Sequence, residues 1–251
     1  MAFHQRVARR VFDRVMTFEP IGLMMVAVLA GGLFMFFQLT GEVMEGDTHA
    51  FDEQILLALR NTTDLGTPVG PYWLGQAMGD ITALGGMTVL GLMSIMATIY
   101  LFLSRQRAIA VFTFLSIGGG WLMSSLLKLG VARPRPDIVP HLVDVHSLSF
   151  PSGHAMLSAA TYLTLGALLS RAQPYRSTRI FLIGSALFLT FIIGLSRVYL
   201  GVHYPTDVLG GWCAGATWAL GCWLLARRYI SVTPDPPKGP EPELLYPLKI
   251  D

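Results

Sequence analysis

The sequence predicts an all-α, polytopic membrane protein with six transmembrane helices, and three observations carry that reading. Hydrophobic residues make up 53% of the 251-residue chain and charged residues only 14%. The mean hydropathy of +0.53 lies well above a soluble average. Six apolar stretches are long enough to cross about 30 Å of hydrocarbon as helices, and the segments between them alternate in basic charge, which fixes an orientation.

The first span, residues 21–39, follows Arg6, Arg9, Arg10 and Arg14. Basic residues before an apolar run also mark secretory signals, but this run exceeds a typical signal core and reads as an uncleaved span. Residues 40–81 form the longest outside segment. Phe51, Ile55, Leu56 and Leu59 recur there at helical spacing among Asp52, Glu53 and Arg60, which predicts an amphipathic helix at the bilayer surface. Such a helix either packs against the span ends or guides a lipid head group. The sequon Asn61-Thr62-Thr63 is too common a pattern to carry weight.

Spans two and three, 82–103 and 108–128, are joined by a short turn holding Arg105 and Arg107. Spans four and five, 155–170 and 179–195, are near the lower length limit, so tilt or local thinning is expected. The sixth is 206–226. Gly118, Gly119, Gly120, Gly210, Gly211 and Gly215 lie within spans, where small residues let helix backbones approach closely. The expected organisation is a basic N-terminus (1–20), a six-helix membrane domain (21–228) and a tail (229–251). That tail contains Pro234, Pro236, Pro237, Pro240, Pro242 and Pro247 and is expected to be disordered. No internal repeat is evident.

With the N-terminus inside, 13 of the 18 basic residues fall on inside segments. The rule that positive loops stay inside then puts both termini in the cytoplasm of an inner membrane. The outside exceptions are Arg60, Lys128, Arg133, Arg135 and Arg197, and most of them cluster at the span mouths. A net charge of +2 gives no footing for nucleic acid. Cys213 and Cys222, nine residues apart in one span, lie on opposite helix faces and cannot pair within it. The sequence carries no signal for oligomeric state.

Ionisable groups beside lipid are costly and usually serve a purpose. Lys128 ends the third span, and Arg135, between Pro134 and Pro136, is turned back toward the helix mouths by a segment that cannot continue as helix. Snorkelling to head groups explains Lys128 or Arg133 alone equally well. In Pro151-Ser152-Gly153-His154, Ser152 suits a helix N-cap and Gly153 admits a bound group close to the backbone. The free amides of that helix start attract anions, and His154 stands in its first turn. Arg197 leaves the fifth span, and His203 precedes Asp207 by four residues, so the carboxylate reaches one ring nitrogen and leaves the other as a nucleophile.

Together these residues supply phosphoryl transfer by covalent catalysis. Lys128, Arg135 and Arg197, with the amides near Ser152 and Gly153, neutralise the phosphoryl oxygens. His203 attacks phosphorus, Asp207 supports its imidazolium, and His154 protonates the leaving oxygen and then activates water. No cofactor is called for. His141 and His146 share an outside loop, but the sequence shows no outside cluster of Asp, Glu and His at convincing metal-ligand spacing.

The joint pattern resembles the type 2 phosphatidic acid phosphatase (PAP2) superfamily. Its first motif is met by Lys128 through Pro136, its second by Pro151-Ser152-Gly153-His154 and its third by Ser196 through Asp207, all without departure. The resemblance implies a metal-independent integral membrane phosphatase with an outward-facing site and a lipid phosphate or diphosphate as substrate. It implies His203 as nucleophile, His154 as acid and Asp207 as partner of His203, with Lys128, Arg135, Ser152, Gly153 and Arg197 around the phosphate. Undecaprenyl diphosphate, phosphatidylglycerol phosphate, phosphatidic acid and lipid A are all candidate substrates. Vanadium-dependent haloperoxidases share the motif set, but six spans argue against that soluble class. A lipid phosphotransferase with a second lipid as acceptor also fits the motifs. A non-enzymatic lipid-phosphate binder or transporter would explain the cations and leave His154, His203 and Asp207 without purpose.

Overall fold

The computed structural model describes residues 20–145 and 147–226, so the expected basic N-terminus and Pro-rich tail, together with His146, lie outside the described residues. Among the described residues eight helices make up most of the structure: α1 (Pro20–Glu45), α2 (His49–Ala58), α3 (Tyr72–Ala83), α4 (Met87–Leu103), α5 (Arg107–Val131), α6 (Gly153–Arg171), α7 (Arg176–Tyr199) and α8 (Pro205–Ala226). The all-α expectation misses one feature. Strands β1 (Arg60–Asn61) and β2 (Asp64–Pro68) form a small antiparallel hairpin between α2 and α3. At its turn Asn61 Oδ1 accepts hydrogen bonds from the Thr63 amide and hydroxyl, a local side-chain turn that competes with helix.

Helices α1, α5, α7 and α8 are long and apolar enough to cross a membrane, and α3 with α4, bent by 43° at a short break, forms a fifth candidate. The sequence predicts six. The one that fails the test is α6, and its position explains why. It packs against α5, α7 and α8 and is buried on nearly every side, with Ala155, Ser158, Ala159, Ala160, Thr161, Thr164 and Gly166 among its core residues. A helix surrounded by helices needs small residues rather than lipid-facing ones, which lowers its hydropathy. Its 19 residues span about 28 Å.

Polarity is distributed as in a membrane bundle. Phe34, Leu92, Met96, Phe114, Phe181 and Phe188 are exposed, whereas Thr113, Ser116, Thr161 and Thr164 are buried. Trp218 donates to the Ser116 carbonyl at 2.7 Å and Trp212 to the Thr190 carbonyl at 3.0 Å, so these two half-buried indoles are satisfied across helices, whereas the buried Trp121 Nε1 has no protein partner among the described residues.

Close approach concentrates where α8 crosses α6. A side chain at Gly211 would stand 2.7 Å from the Ser152 carbonyl and 2.9 Å from Ala155 Cβ, and one at Gly215 would strike the Met156 carbonyl. Gly119 and Gly120 receive the Trp218 ring, but Gly118 faces open space and is not a packing glycine. Gly215→Val is therefore expected to force α6 and α8 apart and destabilise the protein by about 1–3 kcal/mol, read as a lower unfolding midpoint in detergent.

The predicted amphipathic helix falls at α2, but its burial departs from the expectation. Phe51 is exposed, while Asp52 lies at 0% exposure beside the equally buried Leu56. Arg60, one of the predicted outside cations, is buried, and its Nη1 caps the Tyr199 carbonyl at the end of α7 at 2.9 Å.

Candidate active site

The end of α5, the starts of α6 and α8, and the end of α7 meet at one end of the bundle, with residues 132–145 and 147–152 lying between α5 and α6 in the chain. Helix α5 stops at Ala132, whose amide closes the last helical bond to the Lys128 carbonyl at 2.9 Å and whose left-handed φ of 53° turns the following chain out of the helix. The Pro-bracketed segment beyond it carries Arg135 back to the helix mouths, as its sequence requires. Arg135 Nη1 donates to the Val202 carbonyl at 2.6 Å and to His203 Nε2 at 3.2 Å, and Nη2 donates to Ser147 Oγ at 3.0 Å. Lys128 Nζ donates to the Leu148 carbonyl and to Ser147 Oγ, the latter at 3.4 Å, so Ser147 bridges both cations.

Ser152 caps α6: its Oγ accepts from the Ala155 amide, and its own amide donates to the Asp207 carbonyl at 2.9 Å, tying the starts of α6 and α8 together. A Cβ at Gly153 would lie 3.5 Å from Lys128 Cε, so the lysine stem runs across the open helix start. Arg197, only 3% exposed, sits in the last turn of α7 and donates to Thr82 Oγ1 at 2.9 Å. Gly201, with φ of +75°, makes the turn that presents His203 between α7 and α8.

Lys128, Arg135, Gly153, His154, Arg197 and His203 all line one cavity of about 390 Å³. Ser152 and Asp207 are fully buried behind them. The cavity's other wall is apolar, with Met87, Trp121, Leu122 and Leu157. The bend between α3 and α4 roofs it: a Cβ at Gly85 would stand 3.5 Å from the His154 ring, and Tyr162 holds the Leu84 carbonyl at 2.8 Å.

The hydrogen bonds fix the His203 tautomer. A guanidinium can only donate, so the nitrogen it meets, Nε2, holds a lone pair, and the ring proton resides on Nδ1. That Nδ1 faces Asp207 Oδ2 and Ser149 Oγ, each at 3.3 Å. Complete burial, then the positive charges of Arg135, Arg197 and Lys128, hold His203 well below the ordinary histidine range. It is therefore neutral at pH 7, with the Nε2 lone pair turned toward the cavity and met there by Arg135. Three cations with no carboxylate among the cavity's lining residues make a site for a multiply charged anion. Among the described residues no group of three or more His, Cys, Asp or Glu side chains is placed to hold a metal ion, and His141 Nε2 is engaged by the Pro136 carbonyl at 2.7 Å.

Sequence reasoning missed the layer behind His203. Ser149 donates to Asp207 Oδ2, and the Tyr204 amide donates to the same oxygen at 2.8 Å. Arg133, read as a snorkelling candidate, is instead buried between two carboxylates, 2.8 Å from Asp207 Oδ1 and 2.8 Å from Asp52 Oδ2. The sequence signal for Asp52 was its position, four residues before Leu56, in line with the apolar stripe of α2.

The sequence and the fold both have counterparts among known proteins. The model of the PAP2 superfamily matches residues 108–231. Phosphatidylglycerophosphatase B of Bacillus subtilis (strain 168) is 36% identical over 146 residues, covering 57% of this chain and 70% of the relative. The lipid A 1-phosphatase of Rhizobium johnstonii is 32% identical over 124 residues, 45% of this chain and 46% of that protein. Among solved structures, the transmembrane PAP2-type phosphatidylglycerolphosphate phosphatase from Bacillus subtilis superposes with a TM-score of 0.73 at 28% identity, over 82% of this chain and 98% of the other.

Proposed function

The chain belongs to the PAP2 superfamily of membrane lipid phosphatases, and from that premise we propose that it hydrolyses a lipid phosphate through a phosphohistidine formed on His203. The observation that carries this reading is the His203 ring itself, with Nδ1 toward Asp207 and a lone pair on Nε2 facing a cavity of three cations.

The phosphoryl group enters between Lys128, Arg135 and Arg197 and takes the donors that Ser147 engages in the free protein. The Gly153 amide end of α6 adds its dipole. His203 Nε2 attacks phosphorus as the bond to the lipid oxygen breaks, and that oxygen takes the proton of His154. The arriving phosphate's negative charge favours the protonated His154 that this step needs. Asp207 supports the positive charge that develops on His203. In the second step His154 accepts a proton from water, the water oxygen attacks phosphorus, and the Nε2–P bond breaks to release inorganic phosphate.

The lipid's hydrocarbon leaves the cavity between α4 and α5, where Met87 and Leu122 are each 62% exposed. Phosphatidylglycerol phosphate is the leading substrate, because the relative that acts on it matches most of its own length to this chain. In the membrane all six predicted spans cross, with α6 as the central one and α2 at the outer interface. Arg105, Arg107, Arg171, Arg176 and Arg179 then face the cytoplasm with both termini, and the active site opens on the outer face of the inner membrane.

The purified protein is expected to release phosphate from phosphatidylglycerol phosphate, and less readily from phosphatidic acid, lipid A or undecaprenyl diphosphate, at an undiminished rate in excess EDTA. Tight lipid binding without phosphate release on any of them would make the protein a binder. Loss of activity in EDTA would mean that a metal replaces the role given to the three cations.

A further inference from the structure

We propose that Arg133 is a positioning residue for Asp207, and that Asp52 of α2 completes the device; this rests on the reading of His203 as nucleophile. The geometry is a chain of buried groups. Arg133 Nη1 donates to Asp207 Oδ1 at 2.8 Å and to Thr206 Oγ1 at 2.9 Å, while Nη2 donates to Asp52 Oδ2 at 2.8 Å. Asp52 also accepts from the Thr206 amide at 3.0 Å and from the Thr206 hydroxyl at 2.6 Å. The guanidinium lies over the Tyr204 ring, 4.2 Å from its centroid. Asp52, Asp207 and Arg133 are 0%, 0% and 6% exposed.

Two consequences follow for His203. A carboxylate turns about its Cβ–Cγ bond, and Asp207 meets His203 through Oδ2 only. Anchoring Oδ1 on Arg133 fixes the plane, so that Oδ2 stays opposite Nδ1 while also accepting from Ser149 and Tyr204. The second consequence is charge. Two carboxylates and one guanidinium carry a net negative charge behind a neutral imidazole, and the set becomes neutral when His203 gains its positive charge on attacking phosphorus. Without Arg133, Asp207 loses the group that holds Oδ1, and two buried carboxylates stand with no counter-charge between them. Without Asp52, Asp207 is already neutralised by Arg133 and offers less to the imidazolium.

Arg133 bonds none of the phosphate-holding side chains and lies outside the cavity wall. Its loss therefore acts on the chemical step and leaves substrate binding alone. This makes α2 part of the catalytic apparatus, which a surface helix that only rests on the bilayer would not be.

The test is steady-state hydrolysis of phosphatidylglycerol phosphate by the full chain. Arg133→Met is expected to lower kcat on the order of 10²-fold with KM within about twofold of the parent, since a misaligned catalytic group costs about that much. Arg133→Lys, which keeps the charge and one contact, should fall between the two. Asp52→Asn should lower kcat several-fold at unchanged KM. A purely structural ion pair makes a different prediction: removing both charges relieves the burial penalty, so Arg133→Met/Asp52→Asn would regain parental kcat. On the present account the double variant stays as slow as Arg133→Met. Parental kcat in Arg133→Met or in the double variant overturns the proposal. If Arg133→Met does not fold, parental kcat in Asp52→Asn overturns it. His203→Ala in the same assay separates the two readings, because turnover by that variant removes the nucleophile assignment, whereas neutral Arg133 variants remove only this inference.

Discussion

His203→Ala is expected to lose turnover by about 10⁴-fold or more while the protein remains folded. The size follows from its role: no neighbouring group can replace Nε2 as the atom that bonds phosphorus. Lys128, Arg135 and Arg197 stay to hold the substrate, so KM should change little if any residual rate is measurable. The fold should survive because each partner of His203 is otherwise held. Asp207 keeps Arg133, Ser149 and the Tyr204 amide, and Arg135 keeps Ser147 and the Val202 carbonyl. Phosphate release and the elution profile in detergent check both halves. A loss of only about tenfold would mean that water attacks phosphorus directly and His203 merely assists.

The second large effect is at His154, and it depends on the leaving group. His154→Asn removes the acid, so hydrolysis of a lipid alkoxide should fall on the order of 10²- to 10⁴-fold. An aryl phosphate such as p-nitrophenyl phosphate needs no proton to leave. It should phosphorylate His203 at nearly the parental rate and then stall, because the same variant lacks the base that activates water. The expected trace is a burst of nitrophenolate equal to the number of active sites, followed by slow turnover. Equal loss on lipid and aryl substrates, with no burst, would assign His154 to binding instead.

The membrane is what made the charged residues of the site stand out in the sequence. Lys128, Arg135 and Arg197 were legible because the charge rule assigns them to the side opposite most of the chain's basic residues, where such cations are conspicuous. The His203–Asp207 spacing was legible because four residues across a turn into a helix bring the two side chains together, as the 3.3 Å separation bears out.

What was hidden depends on partners distant in sequence. Arg133 looks like any head-group cation until Asp52, 81 residues away, is folded against it. Ser149 is one serine in a loop until Asp207 stands beside it. Helix α6 was recognised as a helix but not as the centre of the bundle, since hydropathy measures contact with lipid and α6 is shielded from it by its neighbours. The bend at Gly85 and Gly86 was not seen, because the sequence reading puts most of α3 in the outside segment 40–81 and begins the second span at residue 82. Its use lies in roofing His154, which no periodicity records.

The central claim is that phosphate passes through a covalent bond to His203, and the most direct measurement is to trap that bond. Protein turning over lipid labelled in the phosphoryl group would be denatured within milliseconds at alkaline pH, where phosphohistidine survives, then digested and mapped. The account predicts label on the peptide holding His203, more of it in His154→Asn than in the parent when an aryl phosphate is the donor, and none in His203→Ala. Rapid turnover with no transient label, or label that persists in His203→Ala, would contradict it.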